Sequence, residues 1–340
     1  MVISLHGDEI SFATSGSTGT STRWVRTFAQ IRAEVTVVAA RLGPIGQIVN
    51  FAPTGHLFGH LYGVVLPETL GVPVHHGWHH PAAVPTIRPD VATLLVCLPS
   101  SWPIVRSMAR SLAALPAVVA LHGTGPIVPA TRTVIERLDG GNFRVVEIFG
   151  STETGAIATR AVEATGSQPL WSLLPDVDLI AEVDGGPQPL RVSSPRLGRN
   201  ETMADYPQVL VLDDLVEPQA GRLFAHAGRA SRLIKVNGVR CDLDAVEAHV
   251  ALLHPGCEVA CVADRDTLRG EHYDLFYSAP APGPTPEQIW SVFGRFLGPV
   301  PLPRSVCRVE GIPRSATGKV LTERVRGLAR ATAQPTIGFT

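Results

Sequence analysis

Lysine is nearly absent from this 340-residue chain. Of its 29 basic residues only two, Lys235 and Lys319, are lysines, and the other 27 are arginines. A planar guanidinium does not replace a compact, mobile ammonium. A lysine that persists in so arginine-dominated a chain is a candidate for a position that needs that ammonium, with chance survival as the alternative. A charge imbalance is also lacking, with 29 basic residues against 30 acidic ones and a net charge of −1. This gives no electrostatic footprint for nucleic acid or an anionic membrane. No apolar run approaches the ~18–20 residues that span a bilayer. The opening Met1-Val2-Ile3-Ser4-Leu5-His6-Gly7-Asp8 has no basic stretch followed by an apolar one, so a cytoplasmic rather than secreted protein is expected. The five cysteines form no CxxC pair, a scattered, odd set that fits reduced thiols. Cys257 and Cys261 have no second pair to complete a zinc site.

What is present is ample apolar material, 45% of residues, and a length that at roughly 150 residues per domain suggests two domains. The first three-fifths alternate strand-like runs (10–14, 47–51, 93–98, 118–121, 145–149) with helical patterns. Phe28, Ile31, Val35, Val38 and Leu42 recur at spacings of three and four, one face of a helix. Residues 100–115 and 129–138 read the same way. Such alternation predicts an α/β domain with a largely parallel sheet. From Asp176 onward, short strands (176–183, 190–193, 209–212) between Gly/Pro turns predict an antiparallel β-subdomain. Beyond Gly228 the pattern is a small α+β domain, with helices over 243–253 and 286–297 and strands over 258–263 and 274–277. Thr285, Pro286 and Gln288 give the last helix a capped start. The expected division is 1–228 and 229–340.

Four polar segments carry chemistry. Thr14-Ser15-Gly16-Ser17-Thr18-Gly19-Thr20 follows a strand. Its glycines let backbone N–H groups turn inward and its hydroxyls add donors, as a phosphate cradle requires. It is not a Walker loop, because no Gly-Lys-Ser/Thr follows; a solvated linker has the same composition. Phe149-Gly150-Ser151-Thr152-Glu153-Thr154-Gly155 also lies at a strand end, where open α/β sheets bind ligands. Glu153 suits Mg²⁺, which takes one or two carboxylates beside phosphate oxygens. A Ser/Thr before Glu equally suits a helix N-cap. The third segment is Gly228-Arg229-Ala230-Ser231-Arg232-Leu233-Ile234-Lys235-Val236-Asn237-Gly238. The fourth is Pro313-Arg314-Ser315-Ala316-Thr317-Gly318-Lys319. Both lysines fall on these segments.

In this order the four segments resemble the adenylate-forming superfamily of acyl- and aryl-CoA synthetases, peptide-synthetase adenylation domains and luciferases. The superfamily's phosphate loop resembles residues 14–20. Its aromatic-Gly-x-Thr-Glu signature is similar to Phe149, Gly150, Thr152 and Glu153. Its ribose-binding Thr-Gly-Asp-Leu resembles Leu212-Asp213-Asp214-Leu215, its hinge region resembles residues 228–238, and its C-terminal Gly-Lys resembles Gly318-Lys319. Pro53–Gly59, with His56, resembles the acid-pocket segment, and Gly123-Thr124-Gly125-Pro126 the loop flanking adenine.

The resemblance implies a truncated adenylate-forming large domain, α/β with a mostly parallel sheet and a small antiparallel β-subdomain, followed by a small mobile α+β lid. It implies ATP-dependent activation of an acyl or aryl carboxylic acid as acyl-AMP with release of pyrophosphate, followed by thioester transfer to coenzyme A. The implied roles are Lys319 as catalytic cation, Thr152 and Glu153 on the phosphates, and Glu153 as Mg²⁺ ligand. Nucleotide contacts would come from residues 14–20, Thr124, Gly125, Pro126, Phe149, Gly150, Asp214 and Arg229. The acid pocket would use His56, Gly123 and Ser151, and the second step Ser231, Lys235 and Gly238. The chain departs from the pattern in places. Ser21 and Thr22 stand near the loop's usual Pro-Lys, Asp213 where the ribose motif has Gly, and Ser231 where the hinge has Asp. The loop begins at residue 14, where relatives carry a large preceding segment. Two rival readings remain: a ligase that loads a carrier protein, and a degenerate nucleotide-binding scaffold that needs a partner. The His75, His76, His79 and His80 cluster around Trp78 reads as an exposed loop after a strand.

Overall fold

The computed structural model describes residues 4–15, 21–77, 87–138, 141–182, 186–236, 239–266, 270–295, 300–315 and 318–331. The chain forms two compact units. The first gathers Met1–Leu212, Val216–His226 and Ala316–Gly318, and the second Asp213–Leu215, Ala227–Ser315 and Lys319–Thr340.

The first unit is organised by an eleven-stranded sheet. On one side five strands lie in the spatial order Val74–His76, Gln47–Asn50, Thr93–Cys97, Val118–His122, Phe143–Ser151, each parallel to its neighbour. The three inner ones up to His122 are buried along their whole length, which explains why they read as continuous apolar runs rather than alternating ones. The sheet then turns antiparallel at Gly155–Ala161 and Trp171–Leu173. The short strands expected after Asp176 extend this same sheet through Leu223–Arg229, Leu210–Gln219, Gln188–Ser193 and Asp178–Leu179. A separate four-stranded antiparallel sheet carries Ser4–His6, Glu9–Ser15, Ser21–Thr27 and Arg199–Asn200.

The predicted helix over 28–42 forms over those residues, started by a Thr27–Gln30 capping box. It buries Ile31, Val35, Val38 and Leu42 against the sheet core. The stretch expected as one helix over 100–115 is a 3₁₀ turn at Pro99–Ser101 followed by two short helices, Trp102–Ser107 and Ala109–Ala113. Its apolar face, with Trp102, Val105, Met108 and Leu112, fills a second core on the opposite side of the parallel strands.

The second unit has its own core, centred on Tyr273, Leu275, Val246 and Ile289. It contains the Leu233–Val236/Val239–Asp242 hairpin. Its three-stranded sheet pairs Glu258–Asp266 with Gly270–Ser278 in antiparallel and Ser305–Arg308 in parallel. Helix Leu243–Leu253 starts at Asp242, whose carboxylate accepts from the N–H groups of Asp244 and Ala245. Helix Pro286–Ser291 has the Thr285–Gln288 capping box that its sequence announces.

Candidate functional site

The parallel strands Thr93–Cys97 and Val118–His122 end level with each other, and their neighbour Phe143–Ser151 continues past Glu147, which is level with His122, toward the same edge of the sheet; the carboxyl ends of such strands are where open α/β sheets bind ligands. Two candidate loops of the first unit sit there. Thr152–Glu153–Thr154 forms the tight turn between Phe143–Ser151 and Gly155–Ala161, so this Ser/Thr–Glu pattern makes a hairpin and not a helix cap. The turn leaves no room for side chains at its ends. A Cβ on Gly150 would collide with the Gly155 carbonyl, and one on Gly155 with the Glu34 carboxylate. Gly155 also has φ +67°, a conformation only glycine adopts readily. Ser151 N donates to Thr154 Oγ1 at 3.2 Å, Thr154 Oγ1 donates to Gly155 O at 2.9 Å, and Gly198 N donates to Glu153 O at 2.7 Å. Thr152 and Glu153 themselves are half-buried.

A charged frame lies beneath this turn. Glu34, on helix Phe28–Leu42, accepts from Ala156 N at 2.7 Å through Oε1 and faces Arg26 Nη1 at 2.7 Å and Arg196 Nη1 at 3.2 Å through Oε2. Arg196 holds the Asp176 carboxylate in a fork at 2.6 and 3.0 Å and donates to Ala156 O at 2.8 Å. Arg26 Nη2 donates to Arg196 O at 2.6 Å. Arg26, Glu34 and Arg196 are fully buried. Buried charges persist only when paired and hydrogen-bonded, and removing one partner is costly. The frame thus fixes the Glu153 turn relative to the strand that leaves the Ser/Thr/Gly loop. Sequence reasoning missed it: three arginine or glutamate positions do not stand out where arginine is so common.

The second loop, Gly123–Pro126, follows Val118–His122. Gly123 N donates to Cys97 O at 3.2 Å. A Cβ on Gly123 would lie 2.6 Å from the Phe58 ring, and one on Gly125 2.9 Å from Pro99, so both glycines are demanded by close packing. Phe58 brings the Pro53–Gly59 segment against this loop. His56, half-buried, sits just before helix Leu57–His60, which runs through a π-helical turn at Leu61–Val65 into Leu66–Leu70. His60, nearby, has its pKa lowered by burial. Phe149 packs on Trp171, Phe224 and His226 at centroid distances of 5.2, 5.8 and 5.4 Å. Glu147, on the same strand, takes two Arg160 nitrogens at 2.6 Å, while burial raises its pKa.

Of the Ser/Thr/Gly loop, Thr14 and Ser15 end a strand paired with Ser21–Thr27. Gly16, Ser17, Thr18, Gly19 and Thr20 lie outside the described residues, as do Trp78, His79, His80 and Gly238. His76 pairs with the Asn50 amide at 3.2 Å, and His75 is exposed.

The remaining candidates belong to the second unit. Arg229 Nε donates to Asp214 Oδ1 at 3.1 Å, which joins the two residues expected at the ribose. Ser231 N donates to Asp213 Oδ1 at 3.0 Å and Ser231 Oγ to Asp213 Oδ2. The two positions that depart from the superfamily pattern therefore touch. Lys235 is exposed on a strand whose N–H at that residue donates to Glu271 Oε2 at 2.7 Å. Lys319 is exposed in a turn closed by Ser315 N donating to Lys319 O at 2.8 Å. Gly318, before it, has φ +85°.

No family model matches the chain. The 4-coumarate–CoA ligase of Halorhodospira halophila is 26% identical over 236 residues, which is 69% of this chain and 54% of that protein. The chain thus spans about half the length of the curated relatives it matches. ATP-bound MatB from Rhodopseudomonas palustris superposes with a TM-score of 0.74 at 16% identity, covering 95% of this chain and 68% of that one. The anthranilate CoA ligase AuaEII, bound to anthranoyl-AMP, superposes with a TM-score of 0.72 at 17% identity over 95% and 68%. The fold is that of the adenylate-forming enzymes. Among the described residues no helix is long and apolar enough to cross a membrane.

Proposed function

We propose that the chain takes part in ATP-dependent activation of an acyl or aryl carboxylic acid. A carboxylate oxygen bonds to the α-phosphorus of ATP, the Pα–O bond to the β-phosphate breaks, and pyrophosphate leaves with that oxygen. The acyl-AMP then passes its acyl group to the thiol of coenzyme A, releasing AMP. The observation that carries this reading is the placement of two loops at adjacent parallel strand ends: the Thr152–Glu153 turn and the Gly123–Pro126 loop. The relative bound to anthranoyl-AMP and the 26%-identical CoA ligase support it.

The residues fit their proposed ligands. Thr152 and Glu153 offer a hydroxyl and a half-buried carboxylate, hard oxygen donors of the kind Mg²⁺ takes. When bound, the metal would neutralise phosphate charge. Phe149 presents an aromatic ring beside Gly150, whose missing side chain keeps the turn tight. Asp214, steadied by Arg229, is a fixed acceptor for ribose hydroxyls. Lys319, an exposed ammonium on a Gly-flanked turn, is the proposed catalytic cation, balancing charge that gathers on the α-phosphate oxygens. Domains 1–228 and 229–340 would act as nucleotide-and-acid domain and mobile lid, with Ser231 near the hinge and Lys235–Gly238 serving the second step. His56, Gly123 and Ser151 would border the acid, and residues 14–20 the phosphates.

The test is acid-dependent ATP–pyrophosphate exchange over a panel of aryl, short-chain and long-chain acids, with and without coenzyme A. Exchange with one class of acid, lost about 100-fold or more in Lys319→Ala, is the expected result. ATP binding without exchange on any acid would favour a nucleotide-binding scaffold instead.

A further inference from the structure

His122 ends the buried strand Val118–His122 and is itself fully buried. Neither the motif pattern nor the proposed chemistry uses it. Its ring is gripped from both sides. Trp102 Nε1 donates to His122 Nδ1 at 3.0 Å. An indole N–H can only donate, so Nδ1 must accept and the ring proton sits on Nε2. That nitrogen then donates to Gly125 O at 3.0 Å and reaches Pro126 O at 3.3 Å.

The segment so held is strained. Thr124 has φ +70°, a left-handed conformation that a β-branched residue rarely adopts and that costs strain. Such strain persists only where surrounding contacts over-determine the backbone. Phe58 and Pro99 press on Gly123 and Gly125 from the outside. Gly123 N is tied to Cys97 O. Below, Ser101 Oγ donates to Leu98 O at 2.8 Å and accepts from Leu98 N at 3.1 Å, which fixes the turn that leads into Trp102. The end of one parallel strand is thereby locked to the end of the next through the Trp102–His122 pair.

We propose that His122 is a positioning residue for nucleotide binding: its Nε2–H holds the Gly125 and Pro126 carbonyls and keeps the left-handed turn at Thr124 in the shape against which the nucleotide base rests. This rests on the adenylation reading for the identity of the ligand, but the pinning of the turn does not. His122 touches no reacting atom. Its effect is on nucleotide affinity, carried through backbone carbonyls, and Trp102 sets which nitrogen bears the proton.

The experiment compares the full chain with His122→Phe, His122→Gln, Trp102→Phe and the pair His122→Phe/Thr124→Gly. Hydrogen exchange of the peptide covering residues 123–128, calorimetric titration with Mg–ATP, and KM values for ATP and acid are measured on each. Losing this hydrogen bond should speed exchange in that peptide and weaken ATP binding by about tenfold in His122→Phe, with KM for the acid nearly unchanged. Glutamine restores a donor at the Nε2 position and should recover most of both. Glycine at 124 removes the need for pinning and should shrink the ATP loss to below about threefold. Wild-type exchange rates and ATP affinity in a folded His122→Phe overturn the proposal, as does an equal loss of ATP and acid affinity. Should His122→Phe not fold, His122→Gln against Trp102→Phe decides: the first should stay near wild type and the second should loosen the peptide, and the reverse order overturns the assignment. A wild-type chain that binds no ATP overturns the nucleotide role and the adenylation reading together. A wild-type chain that binds ATP, unaffected by His122, sinks this proposal alone.

Discussion

In the first unit the Thr152–Glu153 turn rests on Arg26, Glu34 and Arg196, all fully buried, and the Gly123–Pro126 loop rests on a buried histidine. In the second unit the candidate residues stand at the surface: Lys235 and Lys319 are exposed, and Asp213 meets Ser231 in a contact open to solvent. The same proposed reaction thus draws on two kinds of construction. In one, groups that touch nothing reactive set the backbone from beneath. In the other, the candidate side chains stand at exposed strand and turn positions and carry little of the fold. The difference teaches that stability and activity should come apart differently in the two units.

The largest effect on stability is expected at Glu34. Its Oε2 sits between two guanidinium groups and its Oε1 takes a backbone N–H. Glu34→Gln keeps the shape but leaves two buried positive charges short of a partner. A loss of about 3–5 kcal/mol is expected, read as a lowered denaturation midpoint in urea. A loss under about 1 kcal/mol would show that water reaches the frame and that the contrast of depth is wrong.

Next comes the pH dependence of His122. Burial pushes this imidazole down from 6.5 to about 4. Between those values the unfolded chain binds the proton and the folded chain does not, so stability falls as pH drops through that window and the loss is complete below about 4. The shift corresponds to about 3 kcal/mol. Chemical denaturation at pH 7 and at pH 4.5 should show most of it in the wild type, and His122→Gln should flatten that part of the profile.

Much of the architecture is legible in the sequence, and for physical reasons. Helix Phe28–Leu42 shows because its core-facing residues recur at helical spacing. The parallel strands show because burial on both faces makes them continuous apolar runs. The stretch at 100–115 does not read correctly, since the chain starts it with a 3₁₀ turn at Pro99 and interrupts the helix at Met108 while the apolar spacing carries on across both breaks. At the site, the segments with unusual composition were legible and their supports were not. Arg26 and Arg196 are 170 residues apart and hidden among 27 arginines. His122 carries one usable signal, a lone polar residue ending an apolar strand just before Gly-Thr-Gly-Pro, yet nothing in that pattern names Trp102 as its donor. Nor does the sequence say that Asp213 and Ser231, each odd in its own motif, are partners.

Lys319→Ala tests the exposed side of the comparison. Removing an exposed ammonium should leave stability within about 0.5 kcal/mol, while acid-dependent exchange falls about 100-fold or more. A variant that loses activity only in proportion to folded protein would place Lys319 with the buried supports instead.

The smallest effect is expected where the second unit's two departures meet. Asp213 accepts from both the backbone N–H and the hydroxyl of Ser231, but both residues are exposed, so water replaces either bond at little cost. Asp213→Ala and Ser231→Ala should each change stability by less than about 1 kcal/mol, and a double-mutant cycle should give a coupling of no more than that. A weak coupling would mean that this contact can open as the chain works, in keeping with a segment proposed to turn. A coupling of several kcal/mol would instead make 213 and 231 as fixed as the Glu34 frame, and the contrast between a braced unit and a lightly held one would no longer stand.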